Sequence, residues 1–151
     1  MFYLDVITLL TAKNHLRIDA DFTKDDAAIE RMISSALELI EQSTNHILYQ
    51  RNKTYYRSVD DKRITVFDYP INDYDTDVTA LHYSLKHEFA TDKITLDVGY
   101  VNPSDVPSAL IEAALHLIED WYFESETEGI NLKVNDKINS LIFNYKRCIV
   151  S

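Results

Sequence analysis

Apolar residues recur at helical spacing in the first third of the chain. They repeat at steps of three and four residues and comprise Ile29, Met32, Ile33, Ala36, Leu37 and Ile40. The opposite side of the same segment is charged and carries Glu30, Arg31, Glu38 and Glu41. This division predicts an amphipathic helix over about residues 24–45. Thr23, followed by Asp26 three residues later, indicates a capping-box-like start.

A second helical stripe lies in the last third of the chain. Its apolar positions share one side and are Leu110, Ala113, Ala114, Leu117 and Trp121. Asp105 is placed to cap the first turn, and Pro107 is tolerated there because the first helical N–H groups have no helical acceptor. The pattern predicts a helix over about residues 106–125, with Gly129 as a nearby stop signal.

Two shorter helices are predicted outside these long ones. Thr8 is a favourable N-cap for a helix over about residues 9–17, in which Leu9 and Leu16 fall on one stripe. Asn135 is placed to cap a last helix. The apolar residues of that last helix are Ile138, Leu141, Ile142 and Tyr145.

The middle of the chain changes to short segments rich in β-branched and aromatic residues. They predict four short antiparallel strands, at about residues 53–57, 63–67, 77–83 and 93–98. The acidic stretch 69–75 between the second and third strands is typical of a loop. Because strands and helices are segregated, we expect an α+β class, mainly α. Two long and two short helices form the core, with a short-stranded antiparallel β insertion.

A chain of 151 residues can bury one hydrophobic core. We therefore expect a single domain over residues 1–151. Its helical core is formed by residues 8–47 and 104–147, and its β-rich insertion by residues 48–101. The two long helices should form the centre of the core.

The charge balance is acidic, with 25 Asp and Glu against 15 Lys and Arg and a formal net charge of -10. No run of basic residues is longer than two, so groove binding to nucleic acid is disfavoured. Gly99 and Gly129 are the only glycines. P-loop, dinucleotide-binding and nucleophile-elbow motifs need closely spaced glycines and are excluded. The single Cys148 cannot form an intrachain disulfide, and the short apolar runs favour a soluble intracellular protein.

Candidate calcium ligands fit the known pattern poorly. Asp73, Asp75 and Asp77 resemble the opening of a calcium loop. Val78 and Ser84 stand where that loop needs Gly and Glu, respectively. We interpret the segment as a solvated acidic loop.

The histidines and the cysteine do not form a familiar chemical motif. Glu112 and His116 lie one helical turn apart, and Glu119 and Asp120 follow at three and four residues. We interpret this group as a surface pair rather than a metal site. Cys148 lies near the chain end without a resolving cysteine, which argues against a preorganised catalytic thiol. We expect no catalytic residue, no metal and no cofactor.

The helix predicted after Asp105 is strongly acidic. Residues 105–128 carry seven acids and no Lys or Arg. Such a face is solvated, turned towards a basic partner, or placed along a passage in which DNA must not stick. The candidate channel or partner-facing residues are Glu112, Glu119, Asp120 and Glu124.

Three sequence blocks resemble the head–tail connector (adaptor) proteins of long-tailed bacteriophages. Their order and spacing, more than any single block, carry the resemblance, and they cover more than half of the chain. In chain order they are Thr8-Leu9 with Lys13 and His15-Leu16-Arg17-Ile18-Asp19; Val98-Gly99-Tyr100 with Val106-Pro107, Ala113-Ala114 and Trp121-Tyr122; and Ile138 with Leu141-Ile142 and Tyr145-Lys146-Arg147.

The resemblance implies a structural virion protein and not an enzyme. It implies a homo-oligomeric ring of about a dozen subunits that binds below the portal protein and extends the DNA channel. The ring would offer a platform for the tail-completion or stopper protein. The implied location is the head–tail interface of the virion, after assembly in the host cytoplasm. DNA would pass without specific binding, and no membrane is involved.

Two further expectations follow for the surfaces of such a ring. The basic end of the chain, with Lys137, Lys146 and Arg147, is the candidate for docking on the portal. The strand region, which holds many of the ten tyrosines, should contact the neighbouring subunit or the next ring. The alternative function is a small prophage or bacterial protein-binding module without a channel.

Overall fold

The computed structural model describes residues 2–57, 64–72, 79–81, 84–87, 92–124 and 136–146. In chain order its helices are α1 (Tyr3–Val6), α2 (Leu9–Leu16), α3 (Asp26–Thr44), α4 (Ser108–Glu124) and α5 (Asp136–Ile142). Its strands are β1 (Arg51–Tyr56), β2 (Ile64–Val66), β3 (Thr79–Leu81), β4 (Ser84–His87) and β5 (Lys93–Val98). The predicted α+β class, mainly α, is confirmed.

Helix α2 begins and ends where its sequence predicts. The hydroxyl of Thr8 accepts the N–H of Thr11 at 3.1 Å. This bond satisfies one of the backbone N–H groups in the first turn, which have no acceptor within the helix. After Leu16 the helix stops because Arg17 adopts the left-handed backbone conformation, with φ at 59°. Helix α1, which directly precedes α2, is not visible in the sequence pattern because its four residues are too few for a period.

Lys13 holds the turn between α2 and α3. Its ammonium group is buried and donates to the carbonyl oxygens of Ala20 and Phe22, at 3.1 and 2.7 Å. It also pairs with the carboxylate of Asp26 at 2.5 Å. A buried charge is tolerated only where it is paired and hydrogen-bonded, and here both conditions are met. The entry into α3 is therefore fixed by a side chain of α2.

Helix α3 is confirmed, but the predicted capping box of Thr23 and Asp26 is wrong. The helix begins at Asp26, and Asp25 occupies the N-cap position without a side-chain capping bond. The two carboxylates bind elsewhere. Asp26 pairs with Lys13, and Asp25 accepts the hydroxyl of Tyr122 at 2.7 Å. Tertiary contacts have replaced local capping.

Helix α4 is also confirmed, with a correction at its start. Asp105, predicted as the N-cap, instead ends a short 3-10 turn, Pro103–Asp105. Its carboxylate accepts the side-chain amide of Asn102 at 2.8 Å, so it does not cap the helix. Pro107 directly precedes α4, and its carbonyl oxygen accepts the N–H of Leu110 at 2.9 Å.

Helix α5 is confirmed and continues into a 3-10 turn, Phe143–Tyr145. Asn135, predicted as its cap, and Gly129, predicted as the stop after α4, lie outside the described residues. Within the described ranges, no helix combines the length and the apolar character needed to cross a membrane.

The strands form two sheets, and the paired strands are antiparallel, as predicted. β1 pairs with β5, with Arg51 opposite Val98, and the other sheet has the order β2–β4–β3. Of the predicted strand at 77–83, the structure describes residues 79–81, which form β3. Leu81 pairs with Ser84 of β4, a strand that the sequence pattern does not predict, so the described residues hold five strands and not the expected four. The sequence between these two residues lacks the Gly, Pro, Asn or Asp that usually marks a turn.

Two hydrophobic clusters hold these elements together. The larger cluster joins the helices, and its large, fully buried side chains are Ile7, Ile29, Ile33, Leu37, Ile40, Leu48, Leu110, Leu117, Ile118, Ile138 and Ile142. The smaller cluster lies against the strands and consists of Ile47, Ile64, Val66, Leu96 and Val98. Because α3 and α4 supply most of the larger cluster, they form its centre, as the apolar stripes predict.

Gly99 follows β5 where a side chain does not fit. Its φ is +103°, and a Cβ added there would lie 2.2 Å from the carbonyl oxygen of Tyr49. Its N–H donates to the carbonyl oxygen of Pro70 at 2.8 Å. Glycine tolerates this backbone conformation because it has no Cβ. The residue therefore lets three backbone segments meet at the end of β5.

We expect Gly99→Ala to lower the free energy of unfolding by about 2–4 kcal/mol, because the strained φ and the contact with Tyr49 must both be relieved. Urea unfolding followed by circular dichroism measures the change. Val101→Ala, at an exposed position two residues further on, is the matched control and should cost less than about 1 kcal/mol. Equal effects of the two substitutions would contradict the close approach at Gly99.

Candidate interaction surfaces

Glu41 is a buried carboxylate at the end of α3, with only 6% of its surface exposed. It accepts the hydroxyl of Tyr3 and the N–H of Leu48, each at 2.7 Å. The guanidinium of Arg51 donates to both of its oxygens, at 3.0 and 2.7 Å. Charge-assisted bidentate bonds of this kind stabilise a buried anion. The prediction that Glu41 lies on the solvent side of α3 is wrong, because the entry into β1 covers it.

The protonation states of this group are set by its surroundings. Burial and the hydrogen bond to Glu41 raise the pKa of Tyr3 far above its ordinary value. Burial alone would lower the pKa of Arg51, but the hydrogen bonds and charge of Glu41 raise it overall. Tyr3 therefore remains a neutral donor and Arg51 a cation, and the network stays balanced in charge.

A second buried carboxylate, Asp68, lines a groove that Glu41 also borders. It accepts the ammonium of Lys53 at 2.5 Å and the hydroxyl of Tyr55 at 2.6 Å. Burial and this hydrogen bond raise the pKa of Tyr55. The groove has a volume of about 400 Å³, and both Glu41 and Asp68 line it. Since each carboxylate is already paired with a cation, we assign the groove a structural role.

A cluster of titratable groups joins α2, α4 and α5. His116 Nδ1 lies 3.2 Å from Glu119 Oε2, and His15 Nε2 lies 3.4 Å from the same oxygen. The Lys137 ammonium approaches His116 Nδ1 at 3.3 Å. The hydrogen bond from His116, together with the charge of His15, lowers the pKa of Glu119. His15 was missed by sequence reasoning because its partners lie in the other half of the chain.

The candidate acidic residues do not share one environment. Glu112 and Glu124 are exposed, whereas Glu119 and Asp120 are partly buried. The structure pairs His116 with Glu119 rather than with Glu112, so the interpretation of Glu112 and His116 as a surface pair changes. Glu119 is already engaged by two histidines. Glu112 and Glu124 are the exposed members of the acidic face.

The candidate basic residues are also separated from one another. Lys137 meets His116 beside the acidic face of α4, whereas the ammonium of Lys146 donates to the side chain of Asn139 at 3.0 Å and is partly buried. Arg147 lies outside the described residues, as do Cys148 and the acidic positions 73, 75 and 77. The acidic and basic candidate surfaces thus adjoin at Lys137.

Aromatic side chains divide into internal and exposed groups. Several tyrosines bond within the chain: Tyr3 to Glu41, Tyr55 to Asp68, Tyr122 to Asp25 and Tyr100 to His46. The strongly exposed aromatic residues of the described ranges are Phe2, Tyr56, Phe123 and Phe143. Exposed aromatic side chains are enriched where proteins bind one another. These four tyrosines of the described ranges therefore have internal roles, and the exposed aromatic residues are the candidates for external contacts.

Comparison with protein families gives a match over nearly the whole chain. The family model described as "Phage gp6-like head-tail connector protein" matches residues 6–149. No curated protein sequence gives a significant match.

Two solved structures contain chains with the same fold. One is "Neck of empty GTA particle computed with C6 symmetry", with a TM-score of 0.71. The other is "Virion of native gene transfer agent (GTA) particle", with a TM-score of 0.72. In each case the identity is 16%, and the alignment covers 97% of this chain and 92% of the other. Likeness at this identity establishes the fold.

We expect Glu41→Ala to lower the free energy of unfolding by about 3–5 kcal/mol, because it leaves Arg51 and the N–H of Leu48 without their buried acceptor. Glu38→Ala is the matched control, since Glu38 is the same residue type, one turn earlier in α3 and exposed. It should change stability by less than about 1 kcal/mol. Chemical denaturation measures both, and a cost for Glu41→Ala as small as that of the control would contradict the buried network.

Proposed function

The chain belongs to the phage gp6-like head–tail connector family, and from this membership we propose that it forms a ring below the portal and extends the DNA channel. The resemblance expected from the sequence blocks is confirmed, and the protein is a structural component at the head–tail interface of a virion. The single observation that carries the proposal is the family match over residues 6–149.

The proposed assembly is a closed ring of about a dozen subunits. A ring needs one heterologous interface, in which two different surfaces of neighbouring subunits meet. One of the two solved structures with this fold is a particle neck computed with C6 symmetry, which supports a cyclic arrangement. A dozen subunits is a multiple of that six-fold symmetry.

We propose that the acidic face of α4 lies along the channel or faces a basic partner. The residues concerned are Glu112, Glu119, Asp120 and Glu124. In support, α4 contains no Lys or Arg, and Glu112 and Glu124 are exposed. An acidic wall repels phosphates, so DNA would pass without being captured. No specific DNA binding is required for this role.

We propose that the basic C-terminal end docks on the portal through Lys137, Lys146 and Arg147. Phe143, 71% exposed, lies in the same segment as Lys146 and would add apolar area to the contact. An exposed aromatic side chain among cations is a common composition for an interface centre and its rim. The opposite face of the ring would receive the tail-completion or stopper protein.

The domain organisation also belongs to the proposal. We propose one connector domain over residues 1–151, with a helical core at 8–47 and 104–147 and a β-rich insertion at 48–101. The two hydrophobic clusters, one among the helices and one against the strands, support this division. The insertion would contact the neighbouring subunit or the next ring, and the exposed Tyr56 in β1 is available for that contact.

Mixing the protein with its neighbouring portal tests the assembly, with native mass spectrometry and negative-stain images as readouts. We expect a closed ring on the portal, because the portal would template subunits that associate weakly alone. A stable monomer or dimer without portal affinity would reject the connector role. That result would favour the alternative, a small protein-binding module without a channel.

For the docking surface, we expect Lys146→Glu combined with Arg147→Glu to weaken portal binding by about tenfold or more, because like charges oppose at the contact. Lys24→Glu, a charge reversal at an exposed position outside the C-terminal segment, is the control and should leave binding within about threefold of wild type. Co-sedimentation with the portal measures both. Unchanged binding of the double variant would remove the docking assignment while leaving ring formation open.

A further inference from the structure

Three potential metal-ligating atoms meet where α2 contacts α4, one each from His15, His116 and Glu119. The atoms lie within 4.8 Å of one another. His116 Nδ1 lies 3.2 Å from Glu119 Oε2, and His15 Nε2 lies 3.4 Å from the same oxygen. The two imidazole rings are arranged edge to face, with their centres 5.6 Å apart.

The two separations that involve Glu119 match the geometry of one tetrahedral ion. Zinc binds imidazole nitrogen and carboxylate oxygen at about 2.0–2.2 Å, so two ligand atoms of a tetrahedral site lie roughly 3.3 Å apart. The observed 3.2 and 3.4 Å lie on either side of this value. We propose that His15, His116 and Glu119 bind one divalent metal ion of the zinc class, with water at the fourth position.

The donor set selects the class of metal. Two imidazoles and one carboxylate suit zinc, cobalt or nickel, whereas magnesium and calcium prefer oxygen ligands throughout. His15 Nε2 is shielded from solvent, and among the described residues its polar contact is the long one of 3.4 Å to Glu119 Oε2. An ion bound between the two atoms would give that nitrogen a short, direct bond in place of this long contact. The expectation of no metal, drawn from the spacing of Glu112 and His116, did not include His15.

Lys137 is the group that opposes the ion. Its ammonium lies 3.3 Å from His116 Nδ1, where a cation would be repelled. The side chain is exposed and long enough to turn towards solvent, so it would leave as the metal enters. Removing its charge should therefore strengthen binding. The ion would join α2 to α4 and fix the position of the acidic face, independently of any ring or portal contact.

Titration of the full-length protein, freed of metal by a chelator, with zinc chloride in a calorimeter tests the site. We expect one zinc ion per chain. Substitution with cobalt should give the intense visible absorption of a four-coordinate ion. His15→Ala, His116→Ala and Glu119→Gln should each weaken zinc binding by about 100-fold or more, since they remove a direct ligand. Glu112→Gln, an exposed carboxylate on the same helix, is the matched control and should bind as wild type does.

Circular dichroism of each variant shows that it remains folded, and Glu119→Gln preserves shape if an alanine variant does not fold. Lys137→Met should bind zinc more tightly than wild type, and unchanged affinity would contradict the assigned position of the ion. Equal zinc affinity in wild type and Glu119→Gln would overturn the proposal, because the ion would then lie on other histidines. Absence of zinc binding by the wild type would overturn it as well.

Discussion

The arrangement of helices and strands depends on the hydrogen bonds and the ion pair of one buried carboxylate, that of Glu41. It lies at the end of α3, accepts Tyr3 from α1, and pairs with Arg51 at the start of β1. It also accepts the N–H of Leu48, in the segment that leads into the strands. An anion buried without these partners would cost several kcal/mol, on the order of 3–5. The first helix, the long helix and the first sheet are therefore held in one arrangement.

Ion pairs within the chain also determine which charges are left for the surface. Lys13 with Asp26, Arg51 with Glu41 and Lys53 with Asp68 each combine one cation with one anion. Because the two charges of each pair cancel, the net charge of -10 comes from the other residues, among them the exposed acids of α4. A connector that passes DNA gains from such a surface, because it repels phosphates. Stability and the proposed channel role thus use different acids of one sequence.

The sequence predicts what local periodicity controls. The stripes of α3 and α4 and the Thr8 cap follow from residues close together in the chain, and the blocks around Gly99 and Pro107 led to the correct family. The corrections at the helix starts come from contacts that the local pattern does not show. Asp26 pairs with Lys13 instead of completing a capping box, and Asp105 accepts from Asn102 in a 3-10 turn instead of capping α4.

Glu41 and His15 show why the sites are harder to predict than the helices. Glu41 follows the polar pattern of α3, and only the return of the chain at Arg51 buries it. His15 meets His116 and Glu119 through packing between distant helices, and no spacing reveals that contact. The docking roles of Lys137, Lys146 and Arg147 are proposals that rest on the sequence and the family. Their roles depend on partners outside the chain.

A double-mutant cycle on Glu41→Gln and Arg51→Met tests most directly whether this pair joins the helical part to the strands. Unfolding free energies of the wild type, the two single variants and the double variant give the coupling between the two side chains. A coupling of about 2 kcal/mol or more is expected for a buried bidentate pair. Additive effects, within about 0.5 kcal/mol, would contradict the central place given to this interaction.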